Sequence, residues 1–341
     1  MIRKIIQKLL ERRSLTRREA FTVMENILNG KVSEAQIGAF LMALQMKGST
    51  KDEIAGSVEA YRKRLIPLSI DDDNAIDICG TGGDNLGTFN ISTATAFVAA
   101  GAGARVIKHG YHSVSSKCGS ADVLAEMGIR AELFPDEFYQ LYEELGLAFI
   151  FASRYRTLPW NFAGIRQSIG ARTLMNILDP ITKPALTKRQ LIGVWDPKLA
   201  RIVAEVLKEI KISRAMIVSG EEGLDEISLS GSTQVVELIN GKIKEYSFKP
   251  EDVGLSCRPV SELRGGDAKL NTKIILGILN GEKNAAREVT LLNASGALMV
   301  AGLANDFAEG IELARKAVDS GAALGKYQRL LKYSRKIGKK S

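Results

Sequence analysis

The amino-acid sequence predicts an α/β protein, with a small N-terminal α-helical domain and a larger α/β domain whose central, mostly parallel sheet is flanked by helices. In the N-terminal part, apolar residues repeat at intervals of three and four, as in amphipathic helices. From residue 75 onward, short apolar runs alternate with helical segments, as in a parallel sheet covered on both faces. With 341 residues and 45% hydrophobic content, the chain can form one large domain or two.

The N-terminal helices have recognisable starts and stops. Three residue pairs have capping-box spacing: Thr16 with Glu19, Ser33 with Gln36, and Thr50 with Glu53. Gly30 and Gly48 lie where helices would end. The helical pattern breaks at 66–73, IPLSIDDD, so we predict a helical domain over 1–68 and an α/β domain over 74–341.

The second part alternates between two kinds of segment. The predicted strands are AIDIC, RVIKHG, LAFIFA, LIGVW and RAMIVSG, and the predicted helices lie near 92–103, 119–127, 197–209, 269–281 and 304–319. Partial alternation over 227–249, with a turn at Asn240-Gly241, predicts an antiparallel hairpin.

Composition and charge exclude several classes of protein. No apolar run reaches the roughly 18 residues of a membrane span, and the charged N-terminus does not resemble a signal peptide, so we expect a cytoplasmic protein. Cys79, Cys118 and Cys257 are odd in number and widely spaced, as expected for reduced thiols. The net charge of +8 is concentrated in 326–341, a basic last helix and tail, which makes nucleic acid an improbable partner of the nearly neutral body.

One glycine-rich stretch has the placement of an anion site. DICGTGGDNLGTFNIST, residues 77–93, follows a predicted strand and precedes a helix whose first turn carries Ser92, Thr93 and Thr95. Backbone N–H groups and hydroxyls converge there, where the helix dipole favours a phosphate. A tight turn alone would also use these glycines, so both interpretations stay open. The stretch lacks the pattern of a nucleoside-triphosphate loop or a dinucleotide fingerprint.

Two further segments can reach the same edge of the sheet. KHGYHSVSSKCGSAD, residues 108–122, follows the next strand and offers Lys108, Ser115, Ser116 and Ser120 to the same crevice. GLDEI, residues 223–227, places two adjacent carboxylates after another strand. Such carboxylates are often only solvated, but near a polyphosphate they are suitable ligands for Mg²⁺.

Six motifs together resemble one enzyme family. GTGGDNLGTFNIST, KHG, SSKCGSAD, GLDEISLSG, GGDAKLN and LLNASGAL occur in the order and approximate spacing of the anthranilate phosphoribosyltransferases, over essentially the whole chain. The resemblance implies Mg²⁺-dependent transfer of the phosphoribosyl group of phosphoribosyl pyrophosphate (PRPP) to anthranilate, in tryptophan biosynthesis, with pyrophosphate as leaving group. It also implies a homodimer formed through the helical domain, which a helical segment near 160–180 would complete.

The resemblance assigns roles residue by residue. The residues that would contact PRPP are Gly80, Gly82, Gly83, Asp84, Thr88, Asn90, Ser92, Thr93, Lys108, Ser116 and Ser120. Ser92, Asp225 and Glu226 would hold Mg²⁺, and Gly80, Tyr111 and Arg166 would contact the acceptor. Lys108, Asp84 and Arg166 are the candidate catalytic residues.

The acceptor side departs from the family pattern. The departures are Tyr111 at a usual Asn, His112 at Arg, Ser153 at Pro, Arg156 at His, Thr157 at Pro, Trp160 at Lys, Asp179 at Gly and Lys183 at Asn. Tyr111 either reshapes an anthranilate site or blocks it, and Arg156 either supplies a second cation to a carboxylated acceptor or lies in solvent. Alternatives are therefore a related phosphoribosyltransferase for another aromatic or carboxylated amine, and a non-catalytic relative that binds nucleic acid.

Overall fold

A computed structural model of the chain describes residues 1–110, 118–157 and 162–337, without the side chains of 162, 163 and 337. Tyr111, His112, Ser115, Ser116 and Trp160, which the sequence analysis singles out, lie outside the described residues. No helix in the described part of the chain combines the length and apolar character that crossing a membrane requires.

Helices make up most of the regular structure in the described ranges. In chain order they are α1 (Ile2–Leu10), α2 (Arg17–Leu28), α3 (Glu34–Lys47), α4 (Lys51–Arg62), α5 (Ile91–Gly101), α6 (Ser120–Glu126), α7 (Pro135–Leu145), α8 (Phe162–Ile169), α9 (Leu174–Ile181), α10 (Pro197–Glu209), α11 (Ala268–Leu279), α12 (Ala285–Ala301), α13 (Phe307–Asp319) and α14 (Ala322–Ile337). The helices predicted near 92–103, 119–127, 197–209, 269–281 and 304–319 are confirmed as α5, α6, α10, α11 and α13.

The strands form one sheet. They are β1 (Ile76–Gly80), β2 (Val106–Gly110), β3 (Leu147–Phe151), β4 (Arg189–Gly193), β5 (Arg214–Gly220), β6 (Thr233–Ile239) and β7 (Lys242–Phe248). Their spatial order is β3-β2-β1-β4-β5-β6-β7, parallel from β3 through β5 and antiparallel at β6 and β7. The predicted hairpin is therefore confirmed, with its turn at Asn240-Gly241 between β6 and β7.

The first helices begin where their caps predict. The Thr16 hydroxyl accepts the Glu19 N–H at 3.2 Å, and the Glu19 carboxylate accepts the Thr16 N–H at 2.8 Å. Reciprocal bonds of the same kind begin α3 at Ser33 and α4 at Thr50. These bonds satisfy N–H groups that a helix leaves unpaired at its start, so the sequence sets the helix boundaries locally.

The two faces of the sheet pack in different hydrophobic clusters. One face packs against α5, α12 and neighbouring helices. The other packs against α10 and the N-terminal helices, in a cluster that also contains Ile165 of α8 and apolar residues of α9. Helices α8 and α9 thus pack with the N-terminal helices although they follow β3 in the chain.

Candidate active site

A cavity of about 710 Å³ lies at the carboxyl ends of the parallel strands. Strand β1 pairs with β2 on one side and with β4 on the other, so the chain order reverses at this point of the sheet. Open α/β sheets bind ligands in the crevice that such a reversal leaves. The lining includes the loop after β1, the end of β2, the start of α6, part of α9 and the loop after β5.

The loop after β1 is shaped by glycines with left-handed backbone conformations. Gly82 and Gly83 have φ angles of 71° and 77°, which residues other than glycine rarely adopt. The N–H of Gly82 donates to Asp225 Oδ2 at 2.6 Å. The same loop also pairs with the segment that precedes α11, through an antiparallel β-bridge between Thr88 and Arg264. Both Thr88 and Arg264 line the cavity.

The ends of two strands leave room for the acidic loop, which we define as the loop after β5 that carries Asp225 and Glu226. Gly80 and Gly193 are register partners at the ends of β1 and β4. A Cβ on Gly80 would lie 2.2 Å from Asp225 Oδ2, and one on Gly193 would lie 1.5 Å from the Asp225 carbonyl oxygen. Neither contact is sterically possible, so both glycines are needed to bring Asp225 over the strand ends.

Asn293 on α12 anchors the acidic loop through two hydrogen bonds to its backbone. The Asn293 side chain accepts the Ile227 N–H at 2.9 Å and donates to the Ile227 carbonyl at 2.9 Å. Asn293 is fully buried, so these bonds are shielded from water. This two-point contact explains how the LLNASGAL motif, remote in sequence, supports the carboxylates of residues 225 and 226.

Both carboxylates of this loop are buried. Asp225 and Glu226 are only 7% and 8% exposed, so the solvated alternative is wrong. Burial raises the pKa of Asp225 to about 7, and the nearby Asp84 carboxylate adds to the rise. Burial raises the pKa of Glu226 to about 8, with Asp225 adding to the rise and Lys108 opposing it. Burial also raises the pKa of Asp84.

Lys108, at the end of β2, is held by two contacts. Lys108 Nζ donates to the Ile78 carbonyl at 2.8 Å and to Ser92 Oγ at 3.0 Å. The Ser92 N–H in turn donates to Glu226 Oε1 at 3.1 Å. An ammonium has three N–H donors, so one remains on Lys108 after these two bonds. The lysine side chain is buried and lines the cavity.

A chain of amides joins the glycine loop to α6 and α11. Asn271 Nδ2 donates to Asn90 Oδ1 at 2.9 Å, and Asn90 Nδ2 donates to the Cys118 carbonyl at 3.3 Å. Asn271 Oδ1 also accepts the Gly266 N–H at 2.8 Å. Ser120, the first residue of α6, lines the cavity beside these groups.

At the far end of the cavity an aspartate joins two arginines. Asp179 Oδ1 accepts from Arg156 Nη1 at 3.0 Å, and Asp179 Oδ2 accepts from Arg166 Nη1 at 2.5 Å. Burial opposes ionisation of Asp179, but the two guanidinium groups hold its pKa below the ordinary value. The interpretation of Arg156 as a solvent-exposed cation is wrong, since its side chain is 4% exposed.

A second buried ion group lies beneath the cavity. Asp77 Oδ2 lies 2.8 Å from His109 Nδ1 and 3.6 Å from Lys183 Nζ. Burial lowers the pKa of Lys183 to about 8, against the pull of Asp77. Among the described residues, Asp77, Cys79 and His109 are the one set of three with candidate metal-ligand atoms within 4.8 Å. Because His109 and Lys183 already lie against the Asp77 carboxylate, we interpret the set as a buried polar group and not as a metal site.

Most of the predicted site residues converge on one cavity. Those lining it are Gly80, Gly82, Gly83, Asp84, Thr88, Asn90, Ser92, Lys108, Ser120, Arg166, Asp225 and Glu226. Thr93 of α5 does not join them, because it is fully buried and does not line the cavity. Tyr111 and Ser116 lie outside the described residues.

Several residues of the cavity lining were assigned no role from the sequence, among them Arg264, Asn271 and Asn176. Arg264 and Asn271 belong to the segment that contains the GGDAKLN motif, and Asn176 lies on α9. The signal for the first two was their position in or beside a motif that already marked the family. Asn176 carried no comparable signal, since its approach to the cavity depends on how α9 packs.

The buried carboxylates fit a hard divalent cation. Asp225 and Glu226 are buried and Asp84 is half-buried; all three offer oxygen ligands, and loss of hydration disfavours their charge until a cation balances it. Their oxygen atoms do not form a closed three-ligand set among the described residues. Mg²⁺ usually takes one or two protein carboxylates together with phosphate oxygens of the substrate, so an open acidic site of this kind suits it.

Comparisons with known proteins place this chain in a family. Residues 3–65 match the helical bundle domain of a glycosyl transferase family, and residues 72–324 match the a/b domain of a glycosyl transferase family. An anthranilate phosphoribosyltransferase from Thermoanaerobacter sp. (strain X514) is 43% identical over 99% of this chain and 100% of that relative.

Solved structures have the same fold. The anthranilate phosphoribosyltransferase of Thermus thermophilus is 35% identical with a TM-score of 0.89, covering 97% of this chain and 99% of that one. The enzyme from Saccharomyces cerevisiae, solved with PRPP and Mg, has a TM-score of 0.88 at 24% identity, covering 98% of each chain. At that identity the likeness concerns the fold alone.

Proposed function

This chain belongs to the anthranilate phosphoribosyltransferase family, and from that premise we propose that it transfers the phosphoribosyl group of PRPP to anthranilate. The products are N-(5-phosphoribosyl)anthranilate and pyrophosphate. The observation that carries the proposal is the joining, in one cavity, of a glycine loop, a buried lysine and two buried adjacent carboxylates. That combination suits a pyrophosphate bound with a divalent cation.

The chemistry requires stabilisation of charge more than a general base. Breaking the bond from the anomeric carbon to pyrophosphate leaves negative charge on the leaving group and positive charge on the ribose. The remaining N–H of Lys108 and N–H groups of the glycine loop would donate to the departing phosphates. These donors are fixed before the reaction, so little reorganisation is needed when charge develops.

The acidic loop would hold the metal. Asp225 and Glu226, with Ser92 beside them, are the residues that would bind Mg²⁺. When bound, the ion supplies neutralisation of the pyrophosphate charge. The protein determines where the two carboxylates lie, because Gly80 and Gly193 leave room for the acidic loop and Asn293 of α12 anchors it over the strand ends.

The acceptor would lie toward α8 and α9. Arg166 lines the cavity there, and its guanidinium suits the carboxylate of an aromatic amine. The amine of anthranilate is already a usable nucleophile, so the protein needs to hold it in line behind the ribose. Orientation of this kind contributes several kcal/mol, on the order of the effects seen for well-aligned reactants.

An acceptor panel tests the proposal. Purified protein is incubated with PRPP and Mg²⁺, and pyrophosphate release is followed with anthranilate and then with other aromatic and carboxylated amines. We expect anthranilate to give the highest kcat/KM. A higher value for another amine would overturn the acceptor assignment, and PRPP binding without turnover of any amine would overturn the transferase assignment.

Three further features stay proposals. We propose that the chain divides at 66–73, because the helical bundle match ends at residue 65 and the a/b match begins at residue 72. We also propose a homodimer through the N-terminal helices and a cytoplasmic location. Sedimentation equilibrium and cell fractionation test these two, and a monomer or a membrane-bound fraction would contradict them.

A further inference from the structure

The carboxylate of Asp179 has two different arginine partners. Arg156 is anchored: its Nη2 donates to the Thr182 carbonyl at 3.1 Å, its Nη1 lies 3.2 Å from the Tyr61 hydroxyl, and its guanidinium lies over the Tyr61 ring. Arg166 is the more exposed of the two, with 17% of its side chain accessible against 4% for Arg156. Arg166 lines the cavity, and so does Asp179.

These contacts place a fixed negative charge beside the cation that faces the acceptor. The two guanidinium groups carry two positive charges and Asp179 removes one, so the group has a net charge of +1. Because the group is largely buried, its charge acts on a neighbouring ligand with less screening than a surface pair would. A ligand carboxylate beside Arg166 is therefore also beside Asp179, which repels it.

We propose that Asp179 is a specificity-determining residue, which lowers the positive charge at the acceptor wall and so limits the preference for carboxylated over neutral acceptors. The inference rests on the proposed function, because it assumes that the acceptor lies against Arg166. Arg156 balances Asp179 from the protein side and keeps it ionised. The pair Arg156–Asp179 thus adds no net charge, and Arg166 supplies the remaining positive charge.

Four proteins, with three different charges at this group, test this assignment. The wild type carries +1 at this group, Asp179→Asn carries +2, Arg156→Gln carries 0, and the double variant Asp179→Asn with Arg156→Gln again carries +1. For each, the Kd of anthranilate is compared with that of its neutral analogue 2-aminobenzamide by calorimetry. The ratio of the two constants isolates the effect of the ligand carboxylate from changes in shape.

The preference for anthranilate over 2-aminobenzamide is expected to rise with the net charge of the group formed by Arg156, Asp179 and Arg166. Asp179→Asn should increase the preference for anthranilate about tenfold, Arg156→Gln should reduce it by a similar factor, and the double variant should return close to the wild type. If Asp179 only positions Arg166, both proteins that lack Asp179 should lose the preference together, which would overturn the assignment. If Asp179→Asn does not fold, the comparison of Arg156→Gln with the double variant still decides.

A matched control removes an arginine-bound aspartate elsewhere. Asp319 accepts from Arg287 at 2.5 Å and lies outside the cavity lining, so Asp319→Asn should leave the ratio unchanged. Turnover by the wild type is measured separately. Absence of turnover would refute the proposed function. Normal turnover, with a ratio of the two Kd values that does not change with the charge of the group, would refute only the role of Asp179.

Discussion

Replacing both buried carboxylates with amides should abolish activity and stabilise the metal-free protein. Asp225→Asn with Glu226→Gln removes two carboxyl groups whose pKa values burial raises, so that their ionisation is costly in the folded protein. Their amides retain an oxygen that can accept the Gly82 and Ser92 N–H groups. The substitution therefore removes the electrostatic cost while keeping the local hydrogen bonds.

The magnitude follows from the raised pKa values. A carboxyl whose folded pKa is above its unfolded pKa binds protons more strongly in the folded state, so its contribution to stability is lost as pH rises through the folded value. With folded pKa values of about 7 for Asp225 and about 8 for Glu226, the cost at pH 7 is about 4 kcal/mol for each carboxyl taken alone, and less than the sum for the pair, because Asp225 itself raises the pKa of Glu226. The amide variant should gain a few kcal/mol, and the gain should grow between pH 5 and pH 8.

The assay is thermal unfolding in EDTA at pH 5, 6, 7 and 8, with turnover measured in parallel at saturating Mg²⁺. A rise in Tm of several degrees at pH 7, with turnover lost, is the expected result. A variant that is less stable than the wild type at every pH would contradict this expected cost, since the two carboxylates would then stabilise the folded protein. Adding Mg²⁺ should raise the Tm of the wild type and leave the variant unchanged.

Three shorter predictions concern the lysine, a glycine of the site and the thiols. Lys108→Met should lower kcat/KM at least about 100-fold, as loss of a preorganised charge-stabilising donor does, and steady-state kinetics with PRPP checks it. Gly80→Ala should lower Tm and activity together because its Cβ would lie 2.2 Å from a carboxylate oxygen, whereas Gly38→Ala, with no atom within 4 Å, should be neutral or stabilising in the same melt. Native thiol titration at pH 7.5 should modify exposed Cys257 well before Cys118, whose pKa burial raises to about 11, and equal rates would contradict this order.

The sequence predicted the elements whose signals are local. The strands and the hairpin turn at Asn240-Gly241 were correct because apolar runs and turn residues determine them within a few positions. Helix α12 was missed because nearly all of it is buried, so it has no polar face to reveal a helical period. Helix α7 was missed although Pro135 at its first turn and Gly146 after its end are the usual boundary signals.

The site was predictable only where its residues belong to motifs. The glycine loop, Lys108 and the acidic pair lie in motifs and line the cavity, whereas Thr93 is fully buried and does not. The joining of Arg156 and Arg166 by Asp179 was not foreseen, because it depends on how α9 packs beside the segment after β3. The sequence marked Arg156 and Asp179 separately as departures from the family, and their contact shows that the two departures compensate in charge.

Phosphoribosyl transfer is tested most directly by pyrophosphate release from PRPP by the wild-type protein as a function of anthranilate, with Mg²⁺ and then with EDTA. We expect one pyrophosphate per anthranilate consumed, a kcat/KM of about 10⁴ M⁻¹s⁻¹ or more, and loss of activity in EDTA. Pyrophosphate release that does not depend on anthranilate, or activity that persists in EDTA, would contradict this expectation.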